Sequence, residues 1–278
     1  GRVDGGRSRL IHNPFEREPF GRTLRGDVRL PEGPPTRTAV VVAHGFKGFK
    51  DWGFFPWLAR RLVADGHAVV TFNFSGSGIG ADPLDFTELE AFASNTYSRE
   101  LEELAWVVRA VRGGELLPLA PRAVGLLGHS RGGGDAVLHA AAAGHGDAVD
   151  ALVTWAAVAS FDRWAEETLE EWRRTGRVFV LNSRTGQHMP LDIGLLEDFE
   201  ANRERLDVAA AAARVSAPWL VVHGEDDMTV PVEEARTLVR RGRGVRMHLI
   251  EGAGHTFEVG HPFEEPSPQL LDAADATC

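Results

Sequence analysis

The sequence predicts an α/β fold: a mostly parallel central sheet with helices on both faces and a small inserted cap. Two observations support this prediction. Apolar runs of strand length alternate along the chain with segments of helical periodicity, which is typical of a parallel sheet buried on both faces. The chain has 278 residues, of which 43% are hydrophobic and 25% charged, so it is long enough for one large domain with a sizeable core.

The first elements along the chain are an edge strand, a buried strand, a helix and a second buried strand. Residues 20–31 predict an antiparallel hairpin strand at the sheet edge. Residues 39–43 form the first continuous apolar run, which predicts a buried strand. Residues 58–65 have the pattern of a helix that ends at Gly66, and residues 68–74 predict the next strand.

The following elements continue the alternation. Residues 99–111 place leucines and valines at helical spacing, and Gly113 lies just beyond the last of them. A glycine-rich turn joins a predicted strand at 123–127 to a predicted helix at 136–141. Three further apolar runs predict the remaining strands, at 151–155, 219–223 and 246–250.

One long stretch departs from this alternation. Roughly sixty residues lie between Trp155 and Pro218, too many for one crossover helix. A loop of that length without secondary structure would be unusual, so we expect an inserted cap over residues 161–205. Two ordinary helices at the sheet edge are the alternative. The predicted organisation is a domain over 20–278 that contains this cap, preceded by an N-terminal extension over 1–19.

Composition excludes several classes of function. The formal net charge is -10, whereas nucleic-acid binding needs a basic face. Cys278 is the single cysteine, which rules out an intramolecular disulfide and cysteine-rich zinc sites. No apolar stretch reaches the ~18 residues of a membrane span, and residues 1–7 lack the apolar core of a signal peptide. We therefore expect a cytoplasmic protein without nucleic-acid or membrane partners, although a processed secreted chain would look the same.

Ser130 is the candidate nucleophile, because it lies in a Gly-x-Ser-x-Gly motif between a predicted strand and a predicted helix. The motif reads Gly-His-Ser-Arg-Gly at residues 128–132. A serine on a sharp strand-to-helix turn is held at a strained backbone position with its hydroxyl exposed, and the crowded turn needs small neighbours such as Gly128 and Gly132. The start of the helix also offers free N–H groups to a developing negative charge.

A serine nucleophile needs a histidine base, and the base needs a carboxylate. Of the 11 histidines, His255 follows the last predicted strand in a glycine-rich turn, at the end of the sheet where ligands bind. The carboxylate candidates Asp226 and Asp227 follow the preceding strand, and Asp162 is a weaker third candidate. Periodicity leaves the choice between Asp226 and Asp227 open.

The tetrahedral oxyanion of such a reaction needs two N–H donors. One is expected to be the backbone amide of Arg131, directly after the nucleophile, and the other the amide of Phe46 in the loop at 44–48. We expect the side chain of Lys47 in that loop to be solvated. The glycine-rich residues 73–78 lack the spacing of a nucleotide-binding loop and predict a bend near the site.

Together these segments resemble the α/β-hydrolase superfamily over roughly residues 20–262. The matching motifs are the His-Gly-Phe turn at 44–46, the glycine-rich turn at 73–78, the elbow at 128–132, the His-Gly-x-x-Asp-x-x-Val-Pro segment at 223–231 and the Gly-His pair at 254–255. The resemblance assigns the acid to Asp227 rather than Asp226. Within the superfamily the chain most resembles dienelactone-hydrolase-like and feruloyl-esterase-like bacterial carboxylesterases, although Ser130 replaces the cysteine of dienelactone hydrolases.

The resemblance implies a serine hydrolase that cleaves carboxylic esters, such as aryl or hydroxycinnamoyl esters, through an acyl-enzyme and without cofactor or metal. The same residues would also suit a peptidase, a thioesterase, a carbon–carbon bond hydrolase or a cofactor-free perhydrolase, and a non-catalytic binding protein is a further alternative. The superfamily inserts caps at the position of 161–205. We therefore expect Trp164, Trp172 and Met189 to form apolar walls of the substrate pocket, and Arg131 to narrow or charge it.

Overall fold

Eight strands form the central sheet of the computed structural model, which describes residues 10–278. The strands, including a separate β7–β8 hairpin, are β1 (Leu10–Arg17), β2 (Leu24–Pro31), β3 (Thr38–Ala43), β4 (Ala68–Asn73), β5 (Ala123–His129), β6 (Ala151–Trp155), β7 (Arg177–Leu181), β8 (His188–Asp192), β9 (Trp219–Gly224) and β10 (Arg246–Ile250). The order across the main sheet is β1-β2-β4-β3-β5-β6-β9-β10, and the strands from β4 to β10 in this order run parallel. The predicted mostly parallel sheet is therefore confirmed.

Helices cover both faces of the sheet. They are α1 (Phe55–Ala64), α2 (Leu89–Ala93), α3 (Tyr97–Arg112), α4 (Arg131–Ala142), α5 (Glu166–Thr175), α6 (Gly194–Ala201), α7 (Val208–Ala212), α8 (Val232–Arg241) and α9 (Pro268–Thr277). Helices α1 and α9 pack on one face, and α3, α4, α7 and α8 pack on the other. No helix in the described part of the chain is both long enough and apolar enough to cross a membrane.

The apolar runs become central strands because both of their faces are buried. Successive side chains of a strand point to opposite faces, so Val41 packs into the core beneath α3 and α4 while Val42 packs beneath α1. All six residues of β4 are buried. A strand with this environment has to be apolar at every position, which is why these runs were visible in the sequence.

The N-terminal boundary of the sheet differs from the prediction. Residues 1–9 of the expected 1–19 extension lie outside the described residues, but Leu10–Arg17 forms β1, which pairs antiparallel with β2 from Leu10–Pro31 to Arg17–Leu24. The sheet thus begins before residue 20. Because β1 is an edge strand with most side chains exposed, it lacks the apolar alternation that would have predicted it.

The long stretch between β6 and β9 folds into α5, the β7–β8 hairpin, α6 and α7. The turn of the hairpin is attached to the body of the protein, where Gln187 Nε2 donates a hydrogen bond to the Phe86 carbonyl (3.0 Å). Arg177 of β7 forms an ion pair with Glu90 of α2 (2.9 Å). The hairpin is therefore anchored to the part of the chain that follows β4.

Candidate active site

Ser130 lies at the turn between β5 and α4, in a backbone conformation that few non-glycine residues adopt. Its φ is 59° and its ψ is -122°, a combination that costs of order 1–3 kcal/mol and persists only where the surroundings enforce it. The Ser130 amide donates a hydrogen bond to the Trp155 carbonyl at the end of β6 (2.9 Å). The turn thereby holds the serine hydroxyl above the carboxyl ends of the parallel strands.

Close backbone packing explains the glycines on either side of Ser130. A Cβ on Gly128 would lie 2.2 Å from the Gly132 carbonyl oxygen, and a Cβ on Gly132 would lie 2.2 Å from that of His44. Both atoms belong to the backbone and cannot rotate away. The motif therefore needs glycine at both positions so that α4 can start beside the loop after β3.

His255 and Asp227 lie in the loops after β10 and β9 and complete a chain of hydrogen bonds with Ser130. The distance from His255 Nε2 to Ser130 Oγ is 3.0 Å, and the distance from His255 Nδ1 to Asp227 Oδ2 is 2.8 Å. The carboxylate side chain is fully buried, while the imidazole is 19% exposed. The structure thus brings together three residues that are up to 125 positions apart in the sequence.

The two adjacent aspartates have different environments. Asp226 is exposed, whereas Asp227 is buried and accepts hydrogen bonds at Oδ1 from the amides of Thr229 (2.9 Å) and Val230 (2.8 Å). Burial by itself would raise the pKa of Asp227, but the hydrogen bonds from His255 and these amides outweigh it and hold the pKa below its ordinary value. Asp227 is therefore the ionised partner of His255, in agreement with the motif.

Two buried histidines that the sequence analysis did not assign support this geometry. His129 Nε2 donates a hydrogen bond to the carbonyl of His255 (3.0 Å), which fixes the loop that carries His255. His44 Nδ1 donates to the Gly45 carbonyl (2.8 Å), and His44 Nε2 accepts from the Phe74 amide (3.1 Å). Burial lowers the pKa of His129 to about 3 and that of His44 to about 4, so both rings are neutral. His44 lies in the His-Gly-Phe turn and His129 in the Gly-x-Ser-x-Gly motif, and these motifs were the sequence signal from which the two histidines could have been found.

The two amides expected to bind an oxyanion are adjacent to Ser130. A Cβ on Gly45, next to Phe46, would lie 3.0 Å from Ser130 Cβ and 3.3 Å from the Arg131 nitrogen. Within residues 10–278, the amides of Phe46 and Arg131 donate no hydrogen bond to a protein acceptor. Both amides therefore lack a protein partner in the described part of the chain.

A cavity of about 700 Å³ opens beside Ser130 and His255. Its apolar walls include Trp164, Phe46 and Phe161, and Asn182, Ser183 and Arg184 of the hairpin turn also line it. Lys47 also lines this cavity; the residue is half-buried, and its ammonium donates a solvent-exposed hydrogen bond to the Leu181 carbonyl. The volume is that of a small-molecule pocket.

Only one of the three expected pocket residues of the insertion lines this cavity. Trp164 does, and it meets the Phe46 ring edge to face with centroids 6.4 Å apart. Trp172 and Met189 do not, because both are fully buried in the core, where Trp172 Nε1 donates a hydrogen bond to the Leu191 carbonyl (3.0 Å). They join α5 and the hairpin to each other and to the domain.

Arg131 lines the cavity, and it is held in place by neighbours that the sequence did not indicate. Its Nη2 donates to Glu100 Oε1 (3.2 Å), and its guanidinium lies 4.4 Å from the Phe46 ring centroid and 5.2 Å from that of Tyr97. Burial and the neighbouring Glu100 carboxylate raise the pKa of Asp135 well above its ordinary value, which favours a protonated Asp135 behind this ion pair.

Metal binding finds no support in this region. Across residues 10–278, no group of three or more histidine, cysteine, aspartate and glutamate side chains has an arrangement that could hold a metal ion.

Two known proteins match most of this chain at 26% sequence identity. A monoacylglycerol lipase from Mycolicibacterium smegmatis is 26% identical over 268 residues, which cover 88% of this chain and 88% of that protein. A 2,6-dihydropseudooxynicotine hydrolase from Paenarthrobacter nicotinovorans is 26% identical over 251 residues, and the match covers 87% of this chain but only 59% of that longer protein.

Solved structures share the fold at low sequence identity. Est1E from Butyrivibrio proteoclasticus with bound ferulic acid superposes with a TM-score of 0.71 at 18% identity, covering 94% of this chain and 95% of that chain. A putative hydrolase from Agrobacterium vitis has a TM-score of 0.73 at 20% identity, covering 97% and 98%. The sequence profile of the alpha/beta hydrolase family matches residues 40–273. With most of its length matched and with the sheet order described above, this chain belongs to the alpha/beta hydrolase family.

Proposed function

We propose that this protein is a serine hydrolase that cleaves carboxylic esters through an acyl-enzyme intermediate. The observation that carries the proposal is the chain of hydrogen bonds from Asp227 through His255 to Ser130, with distances of 2.8 and 3.0 Å. The amides of Phe46 and Arg131 have no protein acceptor within residues 10–278, and a cavity of about 700 Å³ borders the serine. The similarity to a monoacylglycerol lipase and to an esterase fold supports an ester as substrate.

In this mechanism Ser130 Oγ attacks the ester carbonyl while His255 Nε2 accepts its proton. Asp227 orients the imidazole and stabilises its charged form. The amides of Phe46 and Arg131 donate hydrogen bonds to the oxyanion of the tetrahedral intermediate. His255 then delivers the proton to the leaving alcohol, and a water activated by the same histidine cleaves the acyl-enzyme.

The test combines covalent labelling with turnover. A fluorophosphonate probe is expected to label the parent protein, and Ser130→Ala is expected to abolish labelling and to lower kcat by a factor on the order of 10⁶. Ser183→Ala is the matched control, because Ser183 lines the same cavity but has no base beside it in the described structure. Equal labelling of the parent and the Ser130→Ala variant would refute the assignment.

Matched ester, amide and thioester substrates with the same acyl group distinguish the reaction classes. Esters are expected to have the highest kcat/KM. A preference for the amide or the thioester would keep the site and replace the proposed substrate class with a peptidase or a thioesterase.

A further inference from the structure

The cavity beside Ser130 carries a charge opposite to that of the whole chain. Four cationic side chains line it, namely Lys47, Arg131, Arg163 and Arg184, and no acidic side chain of the described residues does so. The chain as a whole has a formal net charge of -10. A cavity lined by one sign of charge concentrates ligands of the opposite sign, so this cavity favours anions.

Two of these four cations already have protein partners. Arg131 pairs with the buried Glu100 (3.2 Å). Arg163 pairs with Glu234 at the start of α8 (2.5 Å), and it also donates to the Thr229 carbonyl. These two pairs are close to neutral, and both arginines serve mainly to hold the walls of the cavity in position.

Lys47 and Arg184 differ from this pair, because neither has a carboxylate within 4 Å in the described part of the chain. The ammonium of Lys47 donates one hydrogen bond, to the Leu181 carbonyl (3.3 Å), and an ammonium has three donors. The guanidinium of Arg184 lies over the Phe49 ring, 5.9 Å from its centroid. Both groups therefore keep donors for a ligand.

These two cations occupy defined positions. Arg184 lies in the β7–β8 turn, where Asn182 Oδ1 accepts hydrogen bonds from the Arg184 amide (3.2 Å) and the Thr185 amide (3.3 Å). The hydrogen bond from Lys47 to Leu181 joins the loop after β3 to the same hairpin. Arg184 is exposed, and the hydrogen bond from the half-buried Lys47 to the Leu181 carbonyl is exposed to solvent, so both cationic groups lie where the cavity meets solvent.

We propose that the substrate of this site is an ester that also carries an anionic group of the carboxylate or phosphate type, which Lys47 and Arg184 bind at the cavity opening. The inference rests on the proposed esterase function and names its substrate class. A guanidinium fork and a compact ammonium are the two groups that proteins use for carboxylate and phosphate. Binding the remote anion would position the ester carbonyl at Ser130.

The experiment compares esters with and without a remote charge, and turnover is measured as release of the phenol, so that cleavage of a methyl ester is not counted. On the alcohol side, the substrates are 4-acetoxybenzoate, its neutral methyl ester and 4-acetoxyphenyl phosphate. On the acyl side, they are monophenyl adipate and methyl phenyl adipate. In at least one series an anionic member is expected to have a kcat/KM about tenfold above that of its neutral partner, since a charge-assisted hydrogen bond contributes on this scale. The preferred anion identifies carboxylate or phosphate as the natural group.

Variants assign the preference to the two cations. Lys47→Met and Arg184→Gln are each expected to lower the ratio of anionic to neutral kcat/KM by about tenfold. Methionine suits position 47, because Lys47 has a φ of 58° and an unbranched side chain adds no further strain there. Arg174→Gln is the matched control: it removes the same charge from α5 of the insertion, outside the cavity lining, and is expected to leave the ratio unchanged.

The outcomes separate this inference from the proposed function. Hydrolysis of neutral esters without any preference for an anionic member would refute the anion inference and leave the esterase proposal standing. The same conclusion would follow if Arg174→Gln lowered the ratio of anionic to neutral kcat/KM as much as Arg184→Gln does. If no ester is cleaved, the esterase proposal fails, and calorimetry with the Ser130→Ala variant then tests the anion directly. Tighter binding of 4-acetoxybenzoate than of its methyl ester supports the cationic site, and equal or weaker binding overturns it.

Discussion

Replacing Asp227 by asparagine tests the proposed triad most directly, because the hydrogen bonds around this side chain dictate what the amide must do. Asp227 Oδ1 accepts from the amides of Thr229 (2.9 Å) and Val230 (2.8 Å), and Oδ2 accepts from His255 Nδ1 (2.8 Å). An asparagine NH₂ at the Oδ1 position would face two donors. The substituted side chain is therefore expected to keep its oxygen there and to direct its NH₂ toward His255.

This orientation disables the base without removing it. With a donor opposite Nδ1, the neutral imidazole of His255 has to carry its proton on Nε2, the atom 3.0 Å from Ser130 Oγ. The ring then cannot accept the serine proton. The expected loss in kcat is a factor on the order of 10⁴, equivalent to about 5.5 kcal/mol in the activation free energy and smaller than the loss for Ser130→Ala.

The assay is the kcat for an aryl acetate, measured together with the melting temperature of each variant. Asp226→Asn is the matched control, since it makes the same chemical change at the adjacent, exposed position, and a nearly parental kcat is expected for it. A larger loss for Asp226→Asn than for Asp227→Asn would refute the reasoning, and so would a loss for Asp227→Asn of less than about tenfold.

Three further predictions concern the walls and the supports of the site. Trp164→Ala should change the kcat/KM ratio of bulky to short acyl esters by about tenfold or more. Trp172→Ala, in the buried core, should leave that ratio unchanged and lower the free energy of unfolding by about 3–5 kcal/mol. Equal ratios in both variants would mean that the insertion serves only as a scaffold. Gly132→Ala should destabilise the protein by about 1–3 kcal/mol or more in a urea titration, because its Cβ would lie 2.2 Å from the His44 carbonyl oxygen. The free energy of unfolding should be greatest above pH ~6.5 and fall toward pH 4. In the folded state His44 and His129 have pKa values of about 4 and about 3, so over this range they stay neutral while the same histidines in the unfolded chain bind protons. Each histidine contributes a slope of about 1.4 kcal/mol per pH unit, and an unchanged slope in His129→Gln would contradict this explanation.

Patterns that depend on local geometry were predictable from the sequence. The central strands were visible because burial on both faces demands apolar residues at every position, and the turn at Ser130 was visible because backbone contacts of 2.2 Å demand glycine at 128 and 132. The choice of Asp227 over Asp226 came from the family resemblance, and the structure shows a local reason for it. The Asp227 carboxylate accepts hydrogen bonds from amides only two and three residues away, so the constraint is recorded in the spacing of the motif.

Features that depend on surroundings distant in the sequence were not predictable in this way. Strand β1 is defined by its pairing with β2 and not by a pattern of its own. Trp164, Trp172 and Met189 are equally apolar, and only the packing of α5 and the hairpin places the first at the cavity and the other two in the core.

By itself, the sequence therefore determined the order of the elements, the parallel sheet and the loops that carry Ser130, Asp227 and His255, because each of these follows from constraints between near neighbours. Tertiary structure alone decided which side chains line the cavity. Lys47 and Arg184 are 137 positions apart in the sequence, and both line one cavity because the β7–β8 hairpin folds back onto the loop after β3. The physical reason is that the charge of a cavity is a sum over residues that meet only when the chain has folded.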